Sequence, residues 1–393
     1  MKRWIRLIIL LVLGILPAGF YYITGPTAPR GDLTATPAVK ASAVAPTITA
    51  LPALMTSTAV ERSTTSSRTK EAGRLIMIDP SFYPEHKLVT FDLATEKLTT
   101  DFDVPENGWI YQIDVSQDGR QIVMAYSAPP TSDENQTNQR DPYDRSGIYL
   151  LSLDDTTADP ILLFGHQQAN EYFFSPIWSA DGQHIYYVSY RYLSTAGEET
   201  PSQSQNSTLD VGLYRYDLQS KASTFIEKNA VWPRLSPNGE RLVYILVDPT
   251  TMQRGIYIVD TTSNHVTEVV PINAFFDVDT PHFSANGEWL YFSAAPHPTK
   301  VSRTWWERVL DVQIAKAHTD HNVPSEWWRV PVGGGEPEKI SSTPRLITYG
   351  EFNDNGERLF FATDMGIYAM DTNSESSERL PLPNLYKFII WAP

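Results

Sequence analysis

Four ionisable residues, Asp114, Arg234, His282 and Glu351, each stand immediately before a copy of one thirteen-residue phrase: VSQDGRQIVMAYS, LSPNGERLVYILV, FSANGEWLYFSAA and FNDNGERLFFATD. Ile177 precedes a fifth copy, WSADGQHIYYVSY, and Ile390 holds the same place in the segment FIIWAP. Two carboxylates and an imidazole at one register can hold a divalent cation or act as general acid and base, and a guanidinium can orient a carboxylate. A wet channel tolerates such residues without using them, so the set is a candidate binding site rather than a motif.

The elements that must position these residues follow from the phrase itself. An Asp-Gly or Asn-Gly pair between β-branched and aromatic residues marks a strand, a tight turn and a second strand. The turn glycines Gly119, Gly182, Gly239, Gly287 and Gly356 lie 63, 57, 48 and 69 residues apart, each interval long enough for one four-stranded blade. A second phrase, an apolar strand ending near Asp and followed by a polar turn, recurs from Lys87, Gly147, Gly212, Gly255, Glu326 and Gly366. Six second phrases against five complete hairpins leave one half-hairpin at each end, Arg74–Asp79 and Phe388–Pro393. The expected fold is all-β: a six-bladed β-propeller over residues 73–393, with one blade taking its innermost strand from the C-terminal segment and three from the N-terminal repeat segment. That closure removes exposed sheet edges.

The phrases WSADG, LSPNG and FSANG, with the strand VPVGGGEPEKI, resemble the repeats of the TolB-like propeller family (PD40/WD40-like repeats), which also occur in prolyl-oligopeptidase relatives. The resemblance covers roughly residues 73–393 and implies the fold. It leaves function open, because this family includes partner-binding scaffolds, enzymes and regulatory domains.

Lys2, Arg3 and Arg6 precede an apolar run from Leu7 to Ile23, which predicts a transmembrane signal-anchor over residues 1–24 with the remainder outside the cytoplasm; secretion after cleavage is the alternative. Residues 25–72, rich in Ser, Thr, Ala and Pro, read as a flexible linker with a reach of about 35 to 40 Å. The chain has no cysteine, so neither a disulfide framework nor thiolate chemistry is available. Residues 1–73 hold eight of the 31 Lys/Arg and three of the 46 Asp/Glu, so the repeat region is more acidic than the whole chain at −15. Such a surface disfavours nucleic acid and anionic lipid, leaving the anchor as the expected membrane contact.

The longer connections fall between the second and third strands of the blades, at 128–146, 191–210, 248–254 and 296–325. Insertions gathered on one face of a repeat protein mark a working surface. The longest contains Trp305 and Trp306 near helical spacing, an aromatic platform for a partner or a sugar ring. Trp327 and Trp328 lie on or beside a strand and are expected to pack. His318, Asp320 and His321 lack the Glu and third ligand of helical zinc motifs, so no metal or other cofactor is expected. No GxSxG elbow, HExxH, P-loop or GxGxxG occurs. The reading is a binding scaffold for protein, peptide or cell-envelope polysaccharide, with Asp114, Arg234, His282 and Glu351 as channel candidates. The alternative is an envelope enzyme, a metal-assisted lyase or hydrolase using the same channel residues.

Overall fold

The computed structural model describes residues 72–82, 85–129, 146–155, 158–165, 171–193, 208–297, 324–341 and 347–392. The candidate anchor, the linker up to residue 71, and residues 298–323 with Trp305, Trp306, His318, Asp320 and His321 lie outside the described residues. Among the described residues no helix is long and apolar enough to cross a membrane.

Among the described residues, twenty-four strands form six four-stranded antiparallel sheets. Blade I contains β1 (Arg74–Phe82), β2 (Glu85–Asp92) and β3 (Lys97–Asp103). Blade II is β4 (Trp109–Val115), β5 (Gln121–Ser127), β6 (Ser146–Ser152) and β7 (Ile161–Gly165). Blade III is β8 (Glu171–Trp178), β9 (His184–Leu193), β10 (Thr208–Asp217) and β11 (Ala222–Lys228). Blade IV is β12 (Ala230–Leu235), β13 (Arg241–Val247), β14 (Arg254–Asp260) and β15 (Val266–Val270). Blade V is β16 (Asp277–Phe283), β17 (Trp289–Ala295), β18 (Glu326–Pro331) and β19 (Glu338–Lys339). Blade VI is β20 (Ile347–Phe352), β21 (Arg358–Thr363), β22 (Gly366–Asp371) and β23 (Ser377–Arg379). The final strand, β24 (Lys387–Ala392), pairs antiparallel with β1 and completes blade I in the order β24-β1-β2-β3. The inner strands touch in a closed circuit from β4 through β8, β12, β16, β20 and β24 back to β4. This is a six-bladed propeller closed by its C-terminal strand.

Stacking blades face to face buries both faces of their middle strands, which explains near-continuous apolar runs such as Leu242–Ile245, all buried. Outer strands lose one neighbour, and Ala222–Phe225 of β11 is exposed. Trp327 is fully buried, and Trp328 packs edge-on to Phe275 at 4.9 Å, so both pack as expected.

The hairpin turns run over four residues. Ser116 N donates to Gln121 O and Gly119 N to Ser116 O, both at 2.8 Å, while the Ser116 hydroxyl donates to Asp118 Oδ1 at 2.6 Å. Ser236 with Asn238 and Ser284 with Asn286 repeat this at 2.7 Å. All five turn glycines adopt φ between +66° and +71°, the left-handed region that a Cβ disfavours.

Every inner strand carries one extra residue relative to its neighbour. In β8, β12, β16 and β24 two residues oppose one, at 175–176, 232–233, 280–281 and 388–389, and the first of each pair has positive φ: Ser175, Trp232, Thr280 and Phe388. In three of these bulges the second residue is Pro176, Pro233 or Pro281, whose missing N–H costs no ladder bond there. In β4 and β20 the extra residue falls at 111 and 348. The bulges sit just ahead of the aligned ionisable positions and re-aim the strand's last residues.

Candidate binding site in the channel

Asp114, Arg234, His282 and Glu351 occupy the next-to-last positions of β4, β12, β16 and β20. Inner strands run from the face of the longer connections toward the face of the hairpin turns, so this layer lies at the hairpin-turn mouth. The face of the insertions is the opposite one, and of those insertions only 248–254 lies wholly within the described residues.

Two residues earlier on each inner strand, Gln112, Ser175, Trp232, Thr280, Tyr349 and Phe388 are all buried. Tyr349 packs on Phe388 at 3.9 Å and on Trp232 at 5.3 Å between ring centroids. Ser175 donates its backbone N–H and its hydroxyl to Gln112 Oε1. These side chains plug the channel above the charged layer. A cavity of about 10 Å³ between the two layers, bordered by Trp232, Arg234, His282 and Tyr349, has room for one water. The sequence reading missed this plug, although its six residues share one register as plainly as the charged ones do.

His282 is buried, and its Nδ1 lies 3.7 Å from Glu351 Oε1, whose side chain keeps 22% of its exposure. Burial first, and Arg234 second, hold the imidazole well below its usual range, so it is neutral. Burial pushes the Glu351 carboxyl up to about 7, opposed by Arg234 and reinforced by Asp114. Burial likewise lifts Asp114 to about 6 against the pull of Arg234. Asp114 also ties blades together, because its Oδ2 accepts the Trp178 N–H at 2.7 Å.

Arg234 is the centre of this electrostatic set, yet no ion pair closes between it and either carboxylate. Its Nη1 donates only to Pro233 O, at 3.3 Å, and its buried Nε has no partner. Of the aligned register, His282 and Glu351 therefore stand in contact, and Arg234 acts electrostatically on His282, Asp114 and Glu351. Among the described residues no group of three His, Cys, Asp or Glu side chains is arranged to hold a metal ion. The chemistry of the layer suits a ligand that brings both a hydrogen-bond acceptor for Arg234 and a donor for Glu351.

No family model and no curated protein sequence matches the chain. Solved structures do. TolB from Acinetobacter baumannii is similar over 82% of this chain and 67% of that one, at 16% identity and a TM-score of 0.56. A TolB assignment from Agrobacterium tumefaciens is similar over 78% and 88%, at 16% identity and a TM-score of 0.50. These likenesses establish the fold as a TolB-like six-bladed propeller.

Proposed function

We propose that the chain is a non-enzymatic binding scaffold that takes a protein or peptide segment at the hairpin-turn mouth of its channel. The observation that carries this reading is Arg234, a half-buried guanidinium that couples to Asp114 and Glu351 but ion-pairs with neither. A buried donor without an acceptor costs roughly 1–3 kcal/mol, which an entering acceptor recovers. Peptide groups and chain ends offer an acceptor and a donor a few ångströms apart, matching a site with a cation on one side and a proton-sharing carboxyl on the other. The plug of Trp232, Tyr349 and Phe388 sets the depth of entry.

The apolar run Leu7–Ile23 and the Ser/Thr/Ala/Pro-rich linker support an arrangement in which the propeller is held outside the cytoplasm by an uncleaved anchor. Carbonate washing of membranes containing the full chain tests the anchor: retention in the pellet supports it, and full release contradicts it. The binding role is tested by photocross-linking from the hairpin-turn face: an adduct that Arg234→Glu abolishes supports it, and one that survives contradicts it. The enzymatic alternative requires metal-dependent turnover lost in both His282→Ala and Glu351→Ala. Arg234 beside these residues works against a bound cation by direct repulsion.

A further inference from the structure

We propose that a second site, a cleft between blades II and III, binds a neutral saccharide of mono- or disaccharide size. The cleft encloses about 420 Å³, within the range of small-molecule sites. Its floor is aromatic. Tyr187 and Tyr214 are direct cross-strand partners whose rings lie 5.6 Å apart and 18° from parallel. Phe164, on the outermost strand of the neighbouring blade, forms a side wall, 4.8 Å from Tyr187 and 4.4 Å from Tyr216. Tyr214 is only half-buried, so part of its face is open.

The polar end adjoins this floor. Ser189 donates to Glu171 at 3.0 Å, and Arg191 donates to Asp210 at 2.9 Å. The lining holds two carboxylates, Glu171 and Asp210, and two cations, Arg191 and Lys221, with Lys228 3.8 Å from Asp210 beside it, so opposite charges nearly balance around the cleft. A charge-balanced pocket with many donors and acceptors suits hydroxyl groups better than an ion, and flat aromatic faces suit the C–H faces of a pyranose ring. The Tyr187 hydroxyl donates to Ser223 at 2.8 Å, leaving the Ser223 hydroxyl proton to donate elsewhere.

The depression exists because two small residues oppose each other, Gly212 with Ser189. In blades II and IV the equivalent glycines, Gly147 and Gly255, pair with the larger Tyr126 and Leu246. A Cβ on Gly212 would stand 2.7 Å from the Tyr214 ring, so the glycine also lets that ring lean over the cleft.

The test is saturation-transfer NMR and titration of the full chain with cellobiose, maltose and N,N′-diacetylchitobiose, alongside an uncharged tripeptide. The expected result is transfer to at least one saccharide, an affinity loss of about tenfold or more in Tyr214→Leu, and retention in Tyr214→Phe. An Arg234→Met variant should bind the saccharide unchanged, which separates this site from the channel. No saccharide binding, equal binding by Tyr214→Leu, or binding of the tripeptide alone would overturn the proposal.

Discussion

His282 Nδ1 stands 3.7 Å from Glu351 Oε1 across the seam between blades V and VI, and both groups are held toward their neutral forms. A histidine beside a carboxylate usually charges both. Here burial of the imidazole and the nearby Arg234 reverse that for His282, while burial and Asp114 raise Glu351. The pair is therefore sensitive to pH near neutrality without being a firm salt bridge.

The first prediction follows from the sign of that linkage. The Glu351 carboxyl moves from 4.5 to about 7 on folding, so its contribution is fully present below pH 4.5 and is lost as pH rises through about 7. Glu351→Gln imitates the protonated form. It should melt with the wild type at pH 4 and several degrees above it at pH 8.5, measured by thermal unfolding. A variant less stable at both values would show that the anionic form is the favoured one.

Arg234→Met removes the attraction that restrains both carboxyls. Carboxyl titration by NMR should then place Glu351 above about 7 and Asp114 above about 6. Unchanged values would mean that the guanidinium lies too far away to act on them.

Lys387 opens β24 with a buried amine that has no hydrogen-bond partner, and burial lowers its pKa from 10.5 to about 8. The penalty is full below pH 8 and is relieved as pH rises toward 10.5. Lys387→Met should stabilise by about 2 kcal/mol at pH 7, with the gain gone near pH 10.5. Denaturant unfolding at the two pH values provides the check.

The turn glycines should differ in cost although their φ values match. A Cβ on Gly239 would meet the Cβ of Ala180 on blade III at 2.8 Å, whereas one on Gly182 meets nothing within 4 Å. Gly182→Ala should cost about 1–2 kcal/mol from the left-handed backbone alone. Gly239→Ala should cost more by denaturant unfolding, and equal costs would mean that the turns do not pack between blades.

Much of this was legible because each blade repeats the same local grammar. The turn glycines located the strands, and the unequal halves at Arg74–Asp79 and Phe388–Pro393 required a shared blade. The register of Asp114, Arg234, His282 and Glu351 was readable because strand position alone decides which side chains meet at the axis. The bulges were not read, although Ser175-Pro176, Trp232-Pro233 and Thr280-Pro281 mark three of them, since a positive φ at a bulky residue such as Trp232 runs against its local propensity. The blade II–III cleft was not read either. It depends on Phe164 and Tyr216 meeting across two blades, and no spacing within one strand encodes that contact.

A ligand held at the hairpin-turn mouth by Arg234 can be caught by site-specific photocross-linking of the full chain in intact cells. A photoreactive residue is placed at exposed Gln117, on the hairpin-turn face, or at exposed Thr250, on the opposite face. The expected result is a defined protein or peptide adduct from position 117 that disappears when Arg234→Glu is added and does not form from position 250. Adducts from position 250 alone, or adducts from 117 that survive Arg234→Glu, would contradict it.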